Sequence, residues 1–312
     1  MRRIRFAVWA LWLLGSANGG AAAAAGPDLS PRFELGAKLH YISESVIEHE
    51  IRIQGTSSPE RITVRTESGM LFEVTDAAAD GSVTIDWTLK YLKISATGLI
   101  PGIDAALDYD SRTAQASTSP LAPLFGSFVN RPVTVQLDAT GRVTDFRGVG
   151  AVAVPGVLEG LLQGFLSREA FEQLPLLVTA GAPKSIRRGT KWARQTSVAM
   201  PLGAGSIVMD QKFKVKGIER AAGRVAFSMD GTLTSTAALS PAGGGLSGGS
   251  PALDIKKGSV EGSFVWDTRD GNLVSAETRL TADTELDSLL GRMRLGQTMS
   301  SSVKHVTAED LE

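Results

Sequence analysis

Cysteine is absent from this chain, and that one absence removes structural disulfides, thiolate metal sites, cysteine nucleophiles and a lipid-modified N-terminal cysteine. A dominant charge is missing as well. Lys and Arg number 32 against 33 Asp and Glu, so no long-range field of one sign draws in phosphate backbones or anionic lipid, and nucleic acid is not an expected partner. Histidine is scarce, with three residues. Long apolar runs are lacking too: the longest leading one, Phe6 to Leu14, falls well short of the roughly 20 residues a membrane-spanning helix needs. Gly15, Asn18, Gly19 and Gly20 interrupt any extension of it.

That short run follows Arg2, Arg3 and Arg5 and precedes small residues ending in Ala23-Ala24-Ala25, which is the order of a secretory signal peptide over residues 1–25. The paired arginines lack the Ser or Thr and the following polar positions of a twin-arginine signal, so general secretion is the expectation. Cleavage after Ala25 would leave a mature chain from Gly26 with no transmembrane segment, exported to the periplasm or beyond the cell. Residues 26–312 suffice for one large or two small domains, and such lengths bury roughly 75% of the surface an unfolded chain exposes.

What is abundant is alternation. Val83, Ile85, Trp87, Leu89 and Tyr91 interleave with Thr84, Asp86, Thr88 and Lys90, the period-two pattern of a strand with one wet face. Val133, Val135 and Leu137 repeat it, as do Val225, Phe227 and Met229. Phe213 and Val215 stand between Lys212, Lys214 and Lys216, a lysine row that reads as the solvent face of a strand guarded against edge pairing rather than as an anion-binding surface. Between strands, Asp138-Ala139-Thr140-Gly141, Asp267 to Gly271, Ala79-Asp80-Gly81 and Ala222-Gly223 carry the Asp and Gly chemistry of tight hairpins. The fold class that follows is mainly β with some α: curved antiparallel sheets from two similar halves, residues 26–185 and 186–312, packed around one or two short helices.

The helices belong near 155–178. Leu158, Leu161, Leu162, Phe165 and Leu166 fall at helical spacing after Pro155, and Ser167 can cap a second short helix before Pro175. Gly156, Gly160 and Gly164 each weaken that helix by up to about 1 kcal/mol relative to Ala, which suits a face that something approaches closely. With Pro155 and Glu159 present, a helix lying on a sheet is the reading, not a membrane-inserting face. Residues 240–251 are Gly- and Ser-rich and read as a flexible loop. Gly36-Ala37-Lys38-Leu39 and Gly189-Thr190-Lys191-Trp192 open the two halves in the same way, suggesting an internal repeat.

Few constellations carry chemistry. Gly245-Leu246-Ser247-Gly248-Gly249 matches a nucleophile elbow but lies in the loop, and Gly148 to Ala153 resembles a dinucleotide fingerprint but runs into Pro155. His40 and His49, with Glu44, Glu48 and Glu50 nearby, could be imagined as a metal set, but polar segments in which solvated His and Glu are normal are the favoured reading. Asp104, Asp108 and Asp110 are candidate carboxylates for acid–base work or a hard cation, with turn formation as the plainer reading. No catalytic residue, metal or cofactor is called for.

Asp110-Ser111, Gly126 through Gly141-Arg142-Val143, Leu174-Pro175, Gly189 to Trp192 and Gly262 to Gly271 occur in an order that resembles an exported bacterial family catalogued as domain of unknown function 6263, secreted proteins of planctomycete-like bacteria. The Gly-rich stretch at 243–249 departs from that pattern. The resemblance implies export and fold and brings no activity or site residues. The functional expectation is therefore a non-enzymatic envelope or extracellular protein that binds a lipid or other apolar ligand in a groove beside Leu158, Leu161, Leu162 and Phe165. The alternatives are a structural module that contacts another envelope protein and, third, an envelope hydrolase using Asp104, Asp108, Asp110 and Ser247.

Overall fold

The computed structural model describes residues 26–54, 58–98, 107–119, 121–139, 141–148, 174–199, 206–236, 253–288 and 291–312. Among these, twelve strands form one curved, open antiparallel sheet. They are β1 Lys38–Ile53, β2 Glu60–Ala77, β3 Val83–Thr97, β4 Leu107–Asp110, β5 Pro132–Leu137, β6 Val143–Arg147, β7 Lys191–Ala199, β8 Ser206–Glu219, β9 Arg224–Thr236, β10 Leu253–Asp267, β11 Asn272–Ser288 and β12 Gly291–Val306. Helical structure among the described residues is limited to one short α1, Ala122–Phe125, and 3-10 turns at Ala114–Thr118, Pro175–Leu177 and Glu309–Leu311. Leu158, Leu161, Leu162 and Phe165 lie outside the described residues, as does the loop at 240–251.

The strand order is β6-β5-β3-β2-β1-β12-β11-β10-β9-β8-β7, with β4 added to β3. Two meanders therefore run outward from the middle, where β1 pairs with β12 from His40 opposite Val306 to Ile53 opposite Met293. Both meanders open on the same hydrogen-bond frame. Gly36 N–H donates to Val74 and Val74 N–H to Ala37; Gly189 N–H donates to Val215 and Val215 N–H to Thr190. Gly36 and Gly189 sit at φ 79° and 86°, so the matching glycines noticed in the sequence mark matching backbone geometry.

Period two in sequence becomes two unlike faces. On β8, Met209, Gln211, Phe213 and Val215 are buried while Asp210, Lys212, Lys214 and Lys216 are exposed. The lysine row is thus the solvent face, but β8 lies between β7 and β9, so there is no edge there for it to guard. One further expectation is corrected on β3. Leu89 pairs with Met70 whereas Tyr91 pairs with Gly69, a bulge at Lys90 that turns Tyr91 away from the face of Val83, Ile85 and Leu89. Tyr91 is nonetheless buried, because it lies on the outer side under the Leu311 side chain and against Gly69, where a Cβ would collide with its ring. Its hydroxyl donates to Glu67 at 3.0 Å and the Arg112 guanidinium lies 4.1 Å from its ring centre. Burial, with Glu67 adding to it, pushes the phenol up to about 12.

The turn chemistry reads through. Asp138 and Arg142 exchange the closing bond of the β5–β6 hairpin, and the Asp138 carboxylate accepts Arg142 N–H at 3.0 Å; Gly141, at φ 78°, takes the position a side chain would strain. Asp267 and Asp80 brace their own hairpins in the same manner. The inner face is covered at its ends by Leu29 and Phe33 before β1, by Phe125 and Phe128 around α1, and by Leu176, Leu177 and Ile186. One apolar cluster runs through both meanders.

Candidate functional site

Side chains on neighbouring strands share a face when their residues are directly paired, so the inner face can be read as rows across the sheet. One row runs Trp192, Phe213, Met229, Gly262, Thr278, Ser301, Ser45 and Thr66. It begins bulky and aromatic and becomes small and hydroxylated. The adjacent row contributes Val215, Phe227, Phe264 and Ala276. Trp192 stacks on Phe213 at 4.9 Å and Phe227 on Phe264 at 5.1 Å. Where the row turns to Gly262, Thr278 and Ser301, the side chains no longer fill the space.

The result is an apolar cavity of about 250 Å³ on the inner side of β7–β12, walled by Phe213, Met229, Val260, Phe264, Leu280 and Met299 with Val178 across from them. Thr278 and Ser301, linked by a 2.7 Å hydroxyl hydrogen bond, stand at one margin. Arg194 and Gln211, a cross-strand pair of β7 and β8, stand at the other. Arg194 also lines a wider polar opening of about 790 Å³, between the β5–β6 turn and β7, together with Asp138, Arg142, Gln195 and Thr196. Its guanidinium donates to the Leu177 carbonyl, which ties the 3-10 turn to β7.

Beside Arg194 two buried oxygens lack a hydrogen-bond partner: Gln211 Oε1 on its cross-strand neighbour and Thr196 Oγ1 two residues along β7. Their residues are 8% and 5% exposed. Buried polar atoms are nearly always satisfied, so these two acceptors are unmet hydrogen-bonding capacity at the margin of the apolar space. The sequence reading did not single out these residues. A signal was present nonetheless: Gln211 interrupts the apolar phase of Met209, Phe213 and Val215.

The residues that were singled out are dispersed. His40 and His49 are nine positions apart on one strand, so they are separated by roughly 30 Å and, at odd spacing, face opposite sides. His49 faces inward with its Nδ1 buried and unpartnered, and burial holds its pKa below the usual value. Asp108 and Asp110 lie opposite Ser95 and Lys93 on the outer face. Asp110 accepts from Arg112 N–H at 3.0 Å and pairs with its guanidinium at 3.1 Å, the turn-forming role, and that bond holds its carboxyl below the ordinary range. Asp104 and Ser247 lie outside the described residues.

No family model matches the chain, and no curated protein matches it either. Among solved structures it is similar to DynF from the dynemicin biosynthesis pathway of Micromonospora chersina, at 8% identity and TM-score 0.24 over 93% of this chain and 89% of that one. An outer-membrane channel from Pseudomonas putida F1 aligns at 10% identity and TM-score 0.24, over 88% and 97%. A BenF-like porin from Pseudomonas fluorescens Pf-5 aligns at 7% and 0.22, over 87% and 100%. Likeness this slight assigns neither family nor activity. The sheet's own polarity is more telling: Lys212, Lys214, Asp230, Glu261 and Glu277 are exposed and face outward, where a bilayer-spanning barrel turns apolar side chains.

Proposed function

We propose that this is an exported, non-enzymatic envelope or extracellular protein that holds an apolar ligand against the inner face of its sheet. The observation that carries the reading is the unfilled space among Phe213, Met229, Val260 and Phe264, since interiors are otherwise close-packed and a mostly apolar pocket with a few polar groups at its margin is the usual form of a small-molecule site. At about 250 Å³ it is below the roughly 300–1,000 Å³ of drug-sized sites, which suits one acyl chain or ring and not a whole diacyl lipid. The predicted signal at residues 1–25 supports export, and the resemblance of the ordered landmarks to the 6263 family implies the same. Native mass spectrometry of protein recovered after export tests both parts: a mature chain beginning at Gly26 with a co-purifying lipid-like mass is expected. An intact residue 1, or an always empty protein that takes up no apolar probe, refutes it.

A second reading, a module that contacts another envelope protein, has its own observation. A groove of about 670 Å³ crosses the outer side of the sheet, lined by Glu44, Asp230, Glu261 and Glu277 with Lys216 and Arg279. A charged, exposed groove suits a polar protein or polymer surface. Capture of an envelope partner that is lost on reversing Glu261 and Glu277 to lysine, with no apolar uptake, would favour it over the first.

A further inference from the structure

Resting on the ligand-binding reading above, we infer that the ligand is a neutral single-chain molecule carrying a hydroxyl, an aliphatic alcohol, whose hydrocarbon part fills the inner cavity and whose O–H donates to Gln211. Among the described residues, the polar side chains lining that cavity are Arg194, Gln211, Thr278 and Ser301. All but one are engaged. The Arg194 guanidinium donates to the Leu177 carbonyl, and Thr278 and Ser301 share a hydroxyl hydrogen bond of 2.7 Å. Gln211 is the exception, its Oε1 unpartnered on a residue 8% exposed.

The register of the sheet explains why. Gln211 stands on the inner face of β8 between Met209 and Phe213, and neither side chain has a hydrogen to donate. Its neighbour on β9 is Gly231, which has no side chain with which to reach the amide. Beyond Gly231 the row continues through Val260, Leu280 and Met299, all of them walls of the cavity. The donor that this row fails to supply falls to whatever fills the space.

The chemistry of the unmet atom selects the ligand. An amide oxygen accepts and does not donate, so a carboxylate or an ether leaves it unsatisfied, whereas a hydroxyl satisfies it. An ammonium would donate as well, but an apolar enclosure penalises a charge far more than a hydroxyl, and so the donor is neutral. The terminal torsion of a glutamine is broad and soft, which lets the amide bring its oxygen round to the incoming group. The chain length follows from the volume: a water-sized unit occupies about 30 Å³, so the cavity of about 250 Å³ takes on the order of eight methylene-sized units.

The test compares octan-1-ol with its isomer 1-methoxyheptane by isothermal titration calorimetry on the purified full-length mature protein. The two share formula and length and differ in whether the oxygen carries a hydrogen. Wild type should bind the alcohol about three- to tenfold more tightly than the ether, the difference one buried hydrogen bond supplies. Octanoate, charged at neutral pH, should bind more weakly than the alcohol. Gln211→Met, which keeps the length of the side chain and removes the acceptor, should bring alcohol and ether to equal affinity and leave the ether unchanged. Val260→Trp, which fills the cavity, should abolish both, and the comparison of isomers on wild type stands without either variant. Equal affinity for alcohol and ether, tighter binding of octanoate, or a preference that survives Gln211→Met overturns the hydroxyl donor while leaving the apolar groove standing. Binding of no probe, or binding that survives Val260→Trp, overturns the groove itself.

Discussion

Replacing Thr196 by valine should make the ligand-free protein more stable, an uncommon direction for a core substitution. Thr196 is 5% exposed and its hydroxyl has no partner. A buried polar group left unsatisfied costs about 1–3 kcal/mol, and the methyl that replaces it has nearly the same shape and adds apolar burial of about 0.8 kcal/mol. Discounting for partial relaxation, a net gain of about 1–2 kcal/mol is expected. A chain of this length shifts its melting temperature by roughly 2–3 °C per kcal/mol, so calorimetry should show a rise of about 2–6 °C. A melting temperature lowered by the substitution would mean that the hydroxyl is satisfied in solution, and the account of the orphaned oxygens would fail.

Three further outcomes follow from packing and protonation. Phe213→Ala, at a side chain 2% exposed and stacked on Trp192 at 4.9 Å, should cost about 3–5 kcal/mol, measured by urea unfolding. Gly69→Ala places a methyl against the Tyr91 ring and the Leu311 side chain and should cost about 1–3 kcal/mol by overpacking, with partial recovery when Leu311 is also made alanine. The pKa values of His40, His49 and His305 are all held below the ordinary value, chiefly by burial. The unfolded chain therefore binds protons first, so stability is full above about pH 6.5 and declines as pH falls through that value; His49→Gln should shallow the decline seen in melting temperature between about pH 7.5 and 5.5.

Much of the sheet was legible because a strand declares itself in two residues' worth of period and a hairpin in a few residues of local chemistry. The Asp138–Gly141 and Asp267–Gly271 reversals, the inward set of β8 and the matched openings at Gly36 and Gly189 are all local, and local physics is written along the chain. Tyr91 escaped because a bulge is a mismatch between two strands, visible only when Gly69 and Met70 are known to face it. The lysines of β8 were correctly placed in solvent yet wrongly assigned an edge, since which strands end a sheet depends on every other pairing.

The candidate site was the least legible part. Alternation and turn residues determined the β class and which side chains turn inward. They could not determine that β1 would pair with β12, that Arg194 would meet Gln211 beside an unfilled space, or that Val178 would stand across from Met229. Those juxtapositions join residues far apart in the chain, and their energies arise from shared burial across strands. Only the tertiary structure could decide them.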